Sequence, residues 1–259
     1  MPTLLLLALA CAPADPGLDS GSLDAGVVDA ATGIDAARVG WHVDFAEDGL
    51  SRGDAGWSVT TAEGRIVTVE GGYLGLYSAT LVPCESSASL GDAALGVLGG
   101  LLLGRAAHAG HGDEADPSAL PLPVVLDLGA AEAAALDELS FTQDTYCEVH
   151  HLLSAATSVG RELPADPDMS TRSLALWGTV EEDGVVSDFS IEATGSWGEL
   201  WSLSGLPVEG EGTCADITLT HDLGAAFDGV DLVGDADPGT AVLRNLVEQA
   251  EISVVRSAG

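Results

Sequence analysis

The sequence predicts an all-β protein, an antiparallel β-sandwich with a short C-terminal helix. Two observations carry this. Short runs in which apolar and polar residues alternate recur from Trp41 onward. Gly, Pro, Asp and Ser separate these runs at close spacing, with little helical periodicity between them.

The elements follow in order. WHVDFA (41–46) alternates over its whole length and reads as a half-buried strand. GWSVTT (56–61), the turn AEG and RIVTVEGGYLGLYSATLVPCE (65–85) read as strand, turn and long strand. Their Thr, Val, Tyr and Trp residues suit a pleated, half-covered surface. Further strands are expected at 122–128, 138–141, 145–154, 172–181, 185–194, 199–205 and 215–223. The alanine-rich AAEAAALDEL (130–139) reads as a short helix between strands. Near the C-terminus, Asp237-Pro238-Gly239-Thr240 offers a helix cap. Val242, Leu243, Leu246, Val247 and Ala250 follow at helical spacing. LGDAALGVLGGLLLGRAA (90–107), inside a Gly/Leu-rich stretch at 88–118, is poor in β-branched residues. It is expected to be a long loop packed partly on the sandwich; a hairpin that touches a partner or a membrane is the alternative.

Composition excludes several classes. Eight Lys+Arg residues face 41 Asp+Glu, for a formal net charge of −33, and every basic residue is arginine. A nucleic-acid binder needs a basic face, and so does a protein docking electrostatically on anionic lipid. Without lysine there is no Schiff base and no P-loop lysine. An apolar content of 46% still suffices for a folded core.

The N-terminus sets the expected compartment. Leu4–Ala10 is far shorter than the ~20 apolar residues of a membrane-spanning helix. With Met1–Thr3 it reads as an export signal over residues 1–10. Cys11 follows directly, as the acylated cysteine of a bacterial lipoprotein does. Residues 11–40, rich in Asp, Ala, Gly and Ser, read as an acidic tether extended by self-repulsion. The folded domain is expected over 41–259. The protein is thus expected at the bacterial cell envelope, held to the outer membrane by lipid on Cys11 and facing periplasm or cell surface. In that oxidising compartment Cys84 and Cys147, both in strand contexts, are the expected disulfide. Cys214 is left over, as an inert buried thiol or a soft metal ligand.

Histidines carry the candidate chemistry. His108 and His111 lie in a Gly-containing loop followed by Asp113 and Glu114, and His150 and His151 are adjacent in a strand-like run. Imidazole with carboxylate suits copper, zinc or nickel. His108 and His111 are the expected core ligands of a metal site. Asp113 or Glu114 and one of His150 and His151 complete it, because adjacent strand residues point to opposite faces. His42 and His221 sit in strand contexts near Asp44 and Asp222. Aspartates repeat in ADPDM (165–169) and DGVDLVGDADPG (228–239), in oxygen-rich loops that calcium could use, although neither has EF-hand spacing. No HExxH and no GxGxxG opening a helix occurs, so no enzyme is expected.

The order WHVDF, GGYLGLYSATLVPC, PLPVVLDL, TYCEVHH, SLALWGTV and ITLTHDLGAAFDGVDL resembles the MbnP-like family of periplasmic or surface-anchored β-rich proteins. The closing Asp222, Phe227, Asp228 and Gly229 match that family's ending, and the resemblance spans about 41–233. It implies copper handling at the cell envelope, in some members with a tryptophan oxidised by a partner haem enzyme. The family's Met-x-Trp-x-Trp element has no match here, since Met169 is followed by STRSLALWG. The function expected is therefore a non-enzymatic envelope lipoprotein that binds a transition metal, copper first, with an envelope protein as possible partner. The alternatives are a metal-free interaction module and a calcium-stabilised extracellular domain.

Overall fold

The computed structural model describes residues 37–46, 49–53, 56–84, 120, 123–141, 144–208 and 214–257. Two sheets pack face to face, and one helix stands among the described elements. This is the all-β sandwich with a C-terminal helix that the alternation predicts. The first sheet runs β12 (Glu251–Ser257), β11 (Cys214–Asp222), β1 (Ala37–Ala46) and β6 (Ala134–Phe141). The second contains β2 (Ser51–Gly53), β3 (Gly56–Thr60), β4 (Ile66–Pro83), β5 (Val124–Asp127), β7 (Asp144–Leu153), β8 (Leu174–Glu182), β9 (Val185–Ala193) and β10 (Trp197–Val208).

β4 organises the second sheet. Its first half ladders with β8 and its second half with β7. At the changeover the Gly75 amide donates to the Ser173 carbonyl at 2.8 Å, and its carbonyl accepts from the Ser154 amide at 3.0 Å. A Cβ there would sit 2.2 Å from the Ser154 carbonyl oxygen, so only glycine lets the strand pass. In the first sheet β1 pairs antiparallel with β6 but parallel with β11. A parallel pair needs a long crossover; here the whole second sheet lies in the chain between the two strands.

The core is the inner face of both sheets. β1 contributes Val39, Trp41, Val43 and Phe45, and β11 contributes Ala215, Ile217 and Leu219. Leu74, Leu76 and Leu81 of β4, with Val149 and Leu153 of β7, face them across the sandwich. The helix α1 (Pro238–Glu248) adds Val242, Leu243, Leu246 and Val247, and packs against β7 to β11. Its start follows from sequence: Asp237 accepts from the Thr240 amide at 3.1 Å, and Pro238 opens the first turn. The Trp57 indole donates to the Leu128 carbonyl at 2.6 Å, which satisfies a fully buried N–H. Among the described residues no helix is long and apolar enough to cross a membrane.

Three elements differ from expectation. The alanine-rich 130–139 segment is not a helix: Ala134 onward forms β6 against β1, with Leu136 turned into the core. Alanine's helical preference is worth only tenths of a kcal/mol per residue, less than a ladder and a buried leucine provide. The helix, whose expected spacing extends to Ala250, stops at Glu248, and Glu251–Ser257 pairs with β11. β1 takes in Ala37–Gly40, which composition assigned to the tether. Residues 1–36 and the 88–118 stretch lie outside the described residues, so Cys11, the tether and the Gly/Leu-rich loop keep their sequence readings only.

The expected disulfide is present. Cys84 at the end of β4 is bonded to Cys147 in β7, with Cα atoms 4.8 Å apart and a sequence separation of 63. The Cys84 amide also donates to the Thr145 carbonyl at 2.8 Å, so backbone and cross-link fix the same register. The side chain of Cys214 lies outside the described set. Closing a loop of this length restrains the unfolded chain by about 4 kcal/mol. Replacing both Cys84 and Cys147 by Ser should lower the stability measured by urea unfolding by that order, with a native-like circular dichroism spectrum.

Candidate functional site

Two histidines lie in the core. His151 follows the phase of Val149 and Leu153 in β7, and His221 follows Ile217 and Leu219 in β11. Inward phase in a sandwich means enclosure, and both side chains are 0% exposed. Their rings meet between the sheets, with centroids 5.2 Å apart and planes tilted by 48°. The Phe45 ring flanks His221 at 6.1 Å. Phe45 in turn lines an open cleft of about 650 Å³ whose walls include Asp127, Glu132 and Glu162.

The hydrogen bonds define the state of the pair. His221 Nδ1 lies 2.9 Å from the Leu246 carbonyl of α1. A carbonyl only accepts, so Nδ1 carries the proton and Nε2 presents a lone pair. That Nε2 is buried and has no partner. Both ring nitrogens of His151 are also buried without a partner. Burial, then the neighbouring His221 and His150, hold the His151 imidazole well below its ordinary value of 6.5. Burial likewise lowers His221, offset in part by its bond to Leu246. Both rings are neutral at pH 7, the form in which imidazole binds metal.

Other unpartnered buried groups are of a different kind. The indole nitrogens of Trp41 and Trp201 and the Arg161 Nε also lack acceptors, and the Thr61 hydroxyl lacks a partner. The three nitrogens are donors only and cannot hold a cation, and the hydroxyl stands alone, away from the two imidazoles in sequence and strand. Among the described residues no three His, Cys, Asp or Glu side chains converge as a ligand group. Among the described residues the core offers two neighbouring imidazoles and no carboxylate.

The sequence-derived site residues distribute as follows. His150 sits beside His151 on β7 but is only partly buried, and its cross-strand neighbours are Thr80 and Leu200. Of the two, His151 is the one that turns inward. His108, His111, Asp113 and Glu114 lie outside the described residues. His221 was the member that motif reading passed over. The signal was in its phase: it occupies the next apolar position after Ile217 and Leu219. His42 takes a different role, with Nε2 3.3 Å from an Asp216 carboxylate oxygen on the partly exposed outer face of β1 and β11. Such an exposed pair contributes little to stability.

The aspartate-rich loops serve as turns. Asp231 accepts from the Val233 and Gly234 amides at 3.1 and 2.8 Å, which lowers its carboxyl below the ordinary range. Asp235 accepts from the Asp231 amide at 3.0 Å, and Asp228 from the Ala62 amide at 2.8 Å. In 165–169, Asp168 accepts from the Ser170 hydroxyl and amide. Asp168, Asp231 and Asp235 are spent on local backbone or hydroxyl donors, the common use of Asp in turns, and Asp228 ties its turn to the β3–β4 connection.

No protein-family model, no curated protein and no solved structure matches this chain.

The pair has a measurable cost. Leaving buried polar atoms unpaired destabilises by about 1–3 kcal/mol per group. His151→Leu should therefore leave stability at pH 7.5 unchanged or raise it, where an ordinary core truncation lowers it. Acid gives the second signature. Below pH 6.5 an unfolded imidazole takes up a proton that the depressed folded one refuses. Stability is intact above that pH and falls as pH drops from there toward the folded values, by about 1.4 kcal/mol per pH unit per histidine. Urea midpoints at pH 7.5, 6.5 and 5.5 should show a steeper decline in wild type than in His151→Leu. Equal slopes would contradict the buried neutral pair.

Proposed function

We propose that this chain is a non-enzymatic cell-envelope lipoprotein whose sandwich holds a transition metal ion, copper in its monovalent state, between His151 and His221. The observation that carries the reading is three buried ring nitrogens without partners at one point of the core. A protein interior does not ordinarily leave such groups orphaned, and an ion between the rings would satisfy two of them.

The donor set favours copper(I) by elimination. Zinc requires four ligands, and calcium or magnesium requires an oxygen shell. A divalent ion held by two neutral imidazoles in an apolar cavity would leave much of its charge uncompensated. A monovalent ion of low coordination number, with affinity for imidazole, avoids both difficulties. The −33 net charge draws cations toward the surface from any side. The neutral tautomers supply the lone pairs without a proton having to leave.

The envelope setting rests on the leader-like Leu4–Ala10 run and on Cys11, which would carry the lipid. The MbnP-like resemblance points to copper from the order of motifs alone, independently of the buried rings. In this reading the ligands shift from the expected His108 and His111 to His151 and His221. An envelope partner would deliver or receive the ion.

The test loads the full-length exported protein with copper(I) under a mild reductant, removes free metal and measures copper per chain. Wild type and His108→Ala/His111→Ala should retain near-stoichiometric copper. His151→Leu should lose it, and so should His221→Gln, whose amide can still donate to Leu246. Loss only in the His108/His111 variant would move the site to that loop. No retention by wild type would leave a metal-free interaction lipoprotein as the account.

A further inference from the structure

We infer that Asn245 is a positioning residue of the histidine pair: through the Leu246 carbonyl it sets which nitrogen of His221 is free. This deepens the reading of His151 and His221 as the ligand pair and rests on it.

Three hydrogen bonds close a small ring of chain around His221. The imidazole Nδ1 reaches the Leu246 carbonyl at 2.9 Å. The preceding residue, Asn245, sends its amide to the Ala226 carbonyl at 3.1 Å and to the Asp228 carbonyl at 3.0 Å. Those carbonyls belong to the turn that directly follows β11, where Asp222 accepts from the Ala225 amide at 3.0 Å. The ring therefore runs from His221 through the 225–228 turn to Asn245, on to Leu246 and back to His221. One side-chain amide holds the helix end to the strand end.

The Leu246 carbonyl is available because of how α1 ends. The last carbonyls of a helix lack intrahelical donors. Here the Gln249 amide returns to Asn245 and the Ala250 amide to Val247. Leu246 is buried, so its carbonyl needs a donor, and His221 Nδ1 provides one. The exchange is mutual: the imidazole satisfies the helix end, and the helix end pins the proton on Nδ1. The lone pair then lies on Nε2, the nitrogen left without a partner. A second-sphere acceptor that fixes the tautomer of a ligand histidine is a general device of metal sites.

The turn is anchored from its other side as well. The Gly229 amide donates to a Glu63 carboxylate oxygen at 2.9 Å, and the Ala62 amide to Asp228 at 2.8 Å. With the turn fixed to the β3–β4 connection, Asn245 transmits a fixed position to Leu246 and not a floating one.

The experiment uses metal-free full-length protein labelled with nitrogen-15 in histidine, so its result does not depend on whether copper binds. Long-range proton–nitrogen spectra should show His221 in wild type as the Nδ1–H tautomer alone. Asn245→Ala should keep the native amide spectrum while His221 becomes a tautomer mixture, and Asn245→Gln, which retains both donors, should restore much of the single form. A wild-type Nε2–H tautomer, or a His221 spectrum unchanged in Asn245→Ala, would overturn the inference. Should Asn245→Ala not fold, hydrogen exchange in wild type decides. The Asn245 amide and His221 Nδ1 protons should exchange in one common opening; exchange of the ring proton while the amide stays protected would also overturn it. Copper loss in the His151 variant together with an unaltered tautomer in Asn245→Ala would leave the metal reading standing and remove this one.

Discussion

An imidazole shut among valines and leucines cannot keep its charge, and it cannot discard its two nitrogens. That constraint governs this molecule. His151 and His221 are carried inward by the same period of two that carries Val149, Leu153, Ile217 and Leu219 inward. The sandwich is deep enough to exclude water from both rings, so both are neutral. One nitrogen of His221 is satisfied by the end of α1, and the rest are not. A core that needed only to be stable would place leucine at 151. Polar atoms kept at a cost to stability mark a site selected for something other than folding.

The architecture around the pair holds it in place. β1 and β11 form a parallel pair, which brings the chain's last sheet crossing back beside its first strand and sets Phe45 opposite His221. β7 is fixed to β4 by a long ladder and by the Cys84–Cys147 cross-link, seven residues of β7 in common with the ladder to β10 through His151. α1 closes the end of the sandwich and reaches the site through one carbonyl. Phe45 touches His221 with its ring and also lines the open cleft beside Asp127, Glu132, Arg161 and Glu162. Two sheets and a helix each contribute one element to the geometry, and none of the three is a mobile loop.

Much of this was legible from residues. Alternation gave the strands, Asp237-Pro238 gave the helix start, and strand context paired Cys84 with Cys147. Only the end of the strand at 134–141 was legible, at 138–141; its Ala-rich start states a weak local preference that a neighbouring open edge overrides. The parallel β1–β11 pair was not legible either, since pairing partners so distant leave no local mark. At the site, reading for motifs favoured His108 and His111, which stand close together in the chain. His221 stands alone among threonines and an aspartate, and only its phase with Ile217 and Leu219 separates it from a surface histidine. His151 and His221 stand 70 positions apart in the chain, so their proximity is a property of the packed sheets and no spacing rule reports it.

As proposed, His151 and His221 trade stability of the core for capture of an ion. Unfolding free energies of wild type and His151→Leu, each with and without excess copper(I) under reductant, test it most directly. Without copper the variant should be at least as stable as wild type. At about a hundredfold excess over the dissociation constant, wild type should gain roughly 2.7 kcal/mol and the variant nothing. An equal gain in both proteins, or none in either, would contradict the account.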